Sequence, residues 1–390
     1  MKKLIPWACV LVAMLACKKP FTPTLVTDNT RFLVVEGVIT GNDSTIVHLS
    51  RSKKVDTLRT VFPESNAVVN IESDAGSSFG LTEIKAGEYA VGVLNLDAAH
   101  KYRLSVKTAD GKKYVSDFVV LKNSPAIDSV GFVAKPEGLQ IYVNAHDNAS
   151  KTRYYRWDYT ETWQFHAQYH SAYYSNGMGF QARTVAQQVY SCFGNDTSST
   201  IVIASTAKLA NDIIYQAPIT TIASTSEKIE QKYSILVKQY ALTSDAYSFW
   251  QNLQKNTQNL GSIFDVLPSQ TQTNFHCVSN PNELVIGYLS AGNIAYKRIF
   301  ITPDQLLSTY SPIYPSVCVL DTAFQNPAAG PPPQKGEDIL VPAASIYMPV
   351  RGLYLPPPNI NGSPTAYTFS TRICSDCTLR GKTSPPPFWR

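Results

Sequence analysis

The sequence predicts a mainly β protein, with an immunoglobulin-like β-sandwich at residues 31–122 and a larger β-rich domain at residues 126–390. Three observations lead to this prediction. A length of 390 residues is too great for one small domain. Hydrophobic residues make up 44% of the chain and charged residues only 16%, which excludes a disordered chain and a coiled coil. Short runs of β-branched and aromatic residues also alternate with turn signals along most of the chain.

The first seventeen residues have the features of a bacterial lipoprotein signal peptide. Lys2 and Lys3 form a short basic region, and the apolar stretch that follows is too short to span a bilayer. The stretch ends at Ala16 and Cys17, which predicts that Cys17 becomes the lipidated N-terminus. We expect residues 18–30 to form a tether above the membrane. An ordinary secretory signal, cut near the same place, is the alternative.

The predicted N-terminal sandwich rests on about seven short strands with turn residues between them, which is typical of immunoglobulin-like domains. The clearest runs are 32–39, 45–49, 67–71, 87–91, 102–107 and 113–119. The Asp110-Gly111 pair predicts a hairpin between the last two. No Cys…Trp…Cys pattern occurs here, so homology with antibody domains is not implied.

The second domain begins after a boundary at residues 122–125 and is richer in aromatic residues. Strands are predicted at 127–133, 139–145, 154–165, 284–290 and 298–302. The third of these carries aromatic residues on both faces, so it is either a core strand or part of a binding surface. The residues of that possible aromatic binding surface are Trp157, Tyr159, Trp163 and Tyr169.

One α-helix is predicted at about residues 244–260. Thr243 to Asp245 provide an N-cap and an acidic first turn. Apolar residues then recur at spacings of three and four, and Gly261 is placed to end the helix. The recurring positions are Ala246, Phe249, Trp250, Leu253, Thr257 and Leu260. We expect this stripe to pack on the sheet, and a proline-rich arm at 310–358 to lie over the same domain.

The cysteines indicate structural disulfides. Apart from Cys9 and Cys17 in the leader, the candidates are Cys192, Cys277, Cys318, Cys374 and Cys377. Five is an odd number, so one thiol can remain free, and pairing cannot be read from sequence. A bond from Cys318 to Cys374 or Cys377 would tie the proline-rich arm to the body. Redox catalysis or zinc binding by the CxxC at 374–377 is less favoured, because no βαβ context or second ligand pair accompanies it.

No catalytic residue, metal ligand or cofactor site is predicted. The GxSxG, P-loop and dinucleotide-binding motifs are absent from the sequence. His166 and His170 have the spacing of a metal-binding helix face, but their surroundings indicate a strand end and a loop. Asp158 and Glu161 could form an acid/base pair in a glycan-active enzyme, yet residues three apart in a strand point to opposite faces.

An ordered set of segments resembles the DUF4249 family of Bacteroidota lipoproteins, over almost the whole mature chain. The segments are Cys17, FLVVEG at 32–37, VHLSRS at 47–52, WDYTETW at 157–163, DAYSFW at 245–250, GSIFD at 261–265, GYLS at 287–290, KRIFI at 297–301, CSDCTLRG at 374–381 and PFW at 387–389. The family has no established activity, so the resemblance transfers no catalytic residues. It implies an accessory lipoprotein of a TonB-dependent outer-membrane receptor. Lys18 and Lys19 replace the acidic residues of this phylum's surface-export signal. The sequence therefore does not decide whether the protein faces the cell surface or the periplasm.

These observations favour a non-enzymatic, lipid-anchored outer-membrane protein that binds a ligand or partner for a TonB-dependent transporter. A cell-surface glycan or peptide hydrolase and an envelope structural or assembly factor are the alternatives. The net charge of +5 includes the two lysines of the leader and does not indicate a nucleic-acid partner.

Overall fold

The computed structural model describes residues 31–52, 62–177, 179–258, 273–314, 317–324, 346–354, 364 and 366–389. The predicted signal peptide, the predicted lipidation site Cys17 and the predicted tether at 18–30 lie outside the described residues, as do Leu260, Gly261 and parts of the proline-rich arm. The predicted fold class is confirmed: the chain is mainly β, with an immunoglobulin-like N-terminal sandwich and one long helix.

The strands follow one another closely along the chain. The first nine, β1 to β9, are Leu33–Thr40, Ser44–Arg51, Phe62–Pro63, Val68–Ser73, Ser78–Lys85, Glu88–Val93, Lys101–Lys107, Lys113–Ser116 and Val119–Asn123. The next nine, β10 to β18, are Ile127–Lys135, Gly138–His146, Tyr154–His166, Tyr173–Ser175, Phe180–Ala182, Ser191–Thr197, Val202–Ser205, Ile213–Ala223 and Lys232–Ala241.

The helix α1 follows at Ser244–Gln258, close to the predicted bounds. The remaining strands, β19 to β25, are Phe275–Cys277, Val285–Gly287, Ser290–Asn293, Ala295–Ile301, Asp321–Phe324, Tyr347–Leu353 and Ala366–Thr371. A four-residue helix α2 spans Arg372–Ser375. Single 3₁₀ turns lie at Val185–Gln187, Glu227–Ile229, Pro303–Gln305 and Cys377–Leu379.

The first sandwich consists of β1–β9 together with β19–β21. Its pairings run β7-β4-β5-β6-β2-β1-β21-β9, and β9 pairs again with β7, so the circuit closes. The sequence alternation explains which residues point inward: Thr45, Val47 and Leu49 on β2 are buried, whereas Ile46 and His48 are exposed. Closure leaves few free edges and surrounds one apolar core.

The predicted boundary at 122–125 does not separate the two domains completely, because β19–β21 return to the first sandwich. The sequence assigns them to the 126–390 domain, but β21 lies parallel between β1 and β9, and β20 pairs with β1. Gly287 makes this possible: its φ is +140°, and a Cβ there would meet the carbonyl oxygen of Val35 at 2.2 Å. The chain therefore passes from the first sandwich to the second and back.

The second sandwich packs two sheets around a separate core. One sheet is β10-β11-β17 and the other is β15-β12-β18-β22, with β16 also paired to β12. Both sheets contribute to the buried cluster, for example Ile141 from β11, Trp157 from β12 and Ile235 from β18. A three-stranded sheet, β23-β25-β24, follows nearer the C-terminus.

Two disulfides fasten the C-terminal segment. Cys192 is bonded to Cys377, and Cys318 is bonded to Cys374, so the two cysteines of the CxxC have different partners. Cys277 was a candidate for a disulfide, but in the structure its thiol is free and buried in the first sandwich. This leaves one unpaired thiol among the five cysteines within the described residues.

Candidate functional site

A cleft of about 480 Å³ lies between the two sandwiches. The first sandwich contributes β1, β2 and β20, and the second contributes β12, the loop at 198–201 and α1. The lining residues are Val34, Val35, Glu36, Gly37, Val38, His48, Arg156, Asp158, Ser198, Ser199, Thr200, Ile201, Phe249, Trp250, Leu253, Ile286, Gly287 and Tyr288. This volume falls within the ~300–1,000 Å³ typical of small-molecule sites.

Arg156 forms the centre of the wall from the second sandwich. It lies on β12 opposite Tyr240 of β18, and its guanidinium stands 4.5 Å from the Tyr240 ring and 4.2 Å from the Trp250 ring. Its Nη2 donates a hydrogen bond of 2.8 Å to Asp158. Because its Nε is buried without an acceptor among the described residues, the guanidinium keeps unused hydrogen-bonding capacity.

The helix α1 positions the aromatic part of the cleft. The side chain of Thr243 accepts a hydrogen bond from the backbone N–H of Ala246, so Thr243 acts as the N-cap. Phe249 is buried and its ring centroid lies 5.3 Å from that of Tyr288, which anchors the helix on the first sandwich. Trp250, one position on, is only partly buried and lines the cleft.

The opposite wall presents two polar side chains that lie on neighbouring strands. Glu36 on β1 and His48 on β2 are directly opposite each other in the antiparallel register, and both are exposed. Neither side chain forms an ion pair or hydrogen bond within the described part of the chain. The cleft thus combines free polar groups on one wall with an arginine and aromatic rings on the other.

The predicted aromatic binding surface is not a surface. Trp157, Tyr159 and Trp163 are 0%, 7% and 8% exposed, and all three belong to the core of the second sandwich. The three residues occupy alternate positions of β12 and therefore share one face, and that face packs into the core between the two sheets. Tyr169 lies beyond the strand and is partly buried, and its hydroxyl donates to the carbonyl oxygen of Cys318.

The two predicted carboxylates lie in different environments. Asp158 lines the cleft, whereas Glu161 is buried and accepts hydrogen bonds from Lys228 at 2.5 Å and Tyr233 at 2.7 Å. Since Glu161 is held inside a structural ion pair, the two carboxylates do not form an acid/base pair in one cleft.

The two predicted histidines meet around one tyrosine. His166 stacks on the Tyr190 ring and lies 3.0 Å from Glu230, and His170 contacts the edge of the same ring. Across the described ranges, no three His, Cys, Asp or Glu side chains are grouped closely enough to hold a metal ion.

Sequence reasoning missed the cleft because its residues come from six separate stretches of the chain, from Val34 to Tyr288. Arg156, between Tyr155 and Trp157, was the one available signal for the cleft, because a charged side chain in a central strand needs a specific partner. Trp250 belongs to the same apolar stripe of α1 as the buried residues, so its spacing alone does not show that it is partly exposed.

Comparisons with known proteins identify a family and return structures of low sequence identity. The model of a family described as a domain of unknown function, DUF4249, matches residues 18–298. No curated protein sequence matches. A two-domain fibronectin type III segment of chicken tenascin is 10% identical, with 55% of this chain and 93% of that chain covered and a TM-score of 0.16. The adhesin InvE of Yersinia pseudotuberculosis is 12% identical, with 54% of each chain covered and a TM-score of 0.15. Neither helix of the described residues has the length and apolar character needed to cross a membrane.

Proposed function

This chain belongs to the DUF4249 family, and from that premise we propose that it is a non-enzymatic, lipid-anchored outer-membrane protein that binds a ligand for a TonB-dependent transporter. The observation that carries the proposal is the cleft between the two sandwiches. Its lining is organised for recognition, with an aromatic wall, an arginine fixed by stacking and two polar groups free to bind.

The lining supports binding more than hydrolysis. A hydrolytic site needs a nucleophile and a base within hydrogen-bond reach of each other. In the described residues, the Ser198 hydroxyl accepts a hydrogen bond from the backbone N–H of Tyr159, and no hydrogen bond links His48 to a hydroxyl. The cleft therefore provides contact groups rather than a nucleophile–base pair.

The proposed ligand is a short neutral oligosaccharide or peptide. Partly exposed Trp250 and Tyr288 offer apolar faces, while Glu36, His48 and the Ser199 and Thr200 hydroxyls provide donors and acceptors. This combination suits a molecule with one apolar face and many hydrogen-bonding groups.

Calorimetric titration tests ligand binding directly. The mature protein is titrated with malto-, xylo-, manno- and chito-oligosaccharides and with a casein digest. We expect one of these probes to bind, and Trp250→Ala to weaken that binding at least tenfold. Trp389→Ala is the matched control, because Trp389 packs against Phe193 and Phe300 rather than lining the cleft. Equal binding by wild type and Trp250→Ala would exclude the cleft as the binding site.

A further inference from the structure

A second cavity, of about 380 Å³, lies beside the C-terminal disulfides and is separate from the cleft. It is bounded by the β13–β14 hairpin, β24 and the segment that starts with α2. Arg183, Arg372 and Asp376 are its charged lining residues, and Tyr174, Tyr347 and Thr378 add hydroxyl groups. Two positive charges therefore face one negative charge.

Arg183 is held in place entirely by neutral acceptors. Its Nε donates to the Ser171 hydroxyl at 3.3 Å and to the carbonyl oxygen of Tyr173 at 3.1 Å, and its Nη1 donates to the carbonyl oxygen of Gln187 at 3.0 Å. Among the described residues no carboxylate forms an ion pair with it. Burial lowers the pKa of Arg183. The nearby charge of Asp376 acts in the opposite direction and that of Arg372 in the same direction, but burial dominates.

The single carboxylate of the cavity is already engaged on both oxygens. Oδ2 of Asp376 accepts a hydrogen bond of 2.8 Å from Arg372, and Oδ1 accepts the backbone N–H of Thr378 at 3.0 Å. Asp376 therefore pairs directly with Arg372, while Arg183 has no carboxylate in direct contact among the described residues.

We propose that this cavity binds a small organic anion whose carboxylate or phosphate group pairs with Arg183, with Arg372 alongside. The guanidinium of an arginine presents paired donors that match such oxyanions. The volume exceeds that of a bare anion, and the rings of Tyr174 and Tyr347 flank the space left for the rest of the molecule. The disulfides at Cys374 and Cys377 fix the segment that carries Arg372, so this part of the site is preorganised.

Calorimetry at low salt with glucuronate, glucose 6-phosphate and glucose tests the site. We expect at least one of the two anions to bind with millimolar or better affinity, and added salt to weaken that binding. Glucose should give no binding heat that depends on Arg183. Arg183→Gln should weaken anion binding at least tenfold, and Arg372→Gln about threefold or more. Arg153→Gln should leave it unchanged, because Arg153 also donates to backbone carbonyls but precedes the opposite end of β12.

Two further variants keep the result decisive. Arg183→Lys retains the charge and should retain part of the binding, and circular dichroism will show that each variant is folded. Failure of both anions to bind at 10 mM, or equal anion affinity in wild type and in folded Arg183→Gln, would overturn the proposal. The cleft variant Trp250→Ala should bind the anion normally, so failure at either site leaves the other claim intact.

Discussion

Arg156 shows how one side chain connects the two sandwiches. It joins β12 to α1 through the Trp250 ring and contacts the Tyr240 ring of β18, and α1 in turn contacts the first sandwich through Phe249 and Tyr288. Burial of Tyr240 beside it raises the pKa of that phenol, so the ring stays neutral and able to attract the cation at any ordinary pH.

Replacing Arg156 should therefore destabilise the protein locally. We expect Arg156→Gln to lower the unfolding free energy by about 2 kcal/mol, because it removes two cation–π contacts and the ion pair with Asp158. Hydrogen exchange should accelerate in α1 before the rest of the second sandwich. The exposed Arg351→Gln is the control, and equal exchange rates in α1 of the two variants would contradict this role.

Asp376 should make the stability of the fold depend on pH in the acidic range. Burial alone would raise its pKa, but hydrogen bonds from Thr378 and Arg372 outweigh burial and hold the pKa below its ordinary 3.8. The unfolded chain therefore takes up this proton first, and the stabilisation present above about pH 4 is lost as pH falls through the folded-state pKa.

Asp376→Asn tests that dependence. At pH 7 the substitution should cost about 2 kcal/mol, because charge-assisted hydrogen bonds are lost. The difference in thermal midpoint from wild type should shrink between pH 5 and pH 2.5. Asp304→Asn, on an exposed turn, is the control, and a difference for Asp376→Asn that stays constant with pH would contradict the assignment.

At the scale of elements, the disulfides hold the C-terminal segment on the second sandwich. The Cys192–Cys377 bond closes a separation of 185 residues and the Cys318–Cys374 bond one of 56. Chain-entropy arguments give about 5 and about 4 kcal/mol as upper values for the two. Cys192→Ala/Cys377→Ala should thus lower stability more than Cys318→Ala/Cys374→Ala.

Thermal unfolding with non-reducing peptide mapping measures this ranking. Cys277→Ala is the control for cysteine replacement, since its thiol is free and buried. If the paired alanine variants unfold at the same temperature as Cys277→Ala, the bonds do not stabilise the segment.

How much of the elements could be predicted depends on their length. The helix α1 and the strands of the first sandwich show clear periodicity, so their positions follow from sequence. The strands β19 and β20 have only three residues each, too few for any period to appear, and their partners are more than 150 residues away. The cleft shares this limitation, because tertiary pairing rather than local pattern brings Glu36, His48 and Arg156 together.

At the scale of the whole molecule, the path of the chain should couple the two sandwiches. Since β19–β21 complete the first sandwich after the chain has built most of the second, residues 31–124 alone lack strands that their core needs. We expect a 31–124 fragment to show poorly dispersed NMR spectra and no cooperative melting.

An ion pair and a hydrogen bond also attach the returning segment to the early strands of the first sandwich. Glu283 accepts hydrogen bonds from Lys112 at 2.7 Å and Tyr114 at 2.6 Å, which lower its pKa although burial opposes them. Residues 31–314 should regain cooperative melting, and a stably folded 31–124 fragment would contradict the predicted dependence on β19–β21.

Affinity purification of the tagged, full-length protein from detergent-solubilised native membranes, read by mass spectrometry, tests the proposed function most directly. The proposal predicts that a TonB-dependent β-barrel receptor copurifies in near-equal amount, and that an untagged strain yields none. A stable complex that contains other envelope proteins but no such receptor would contradict it.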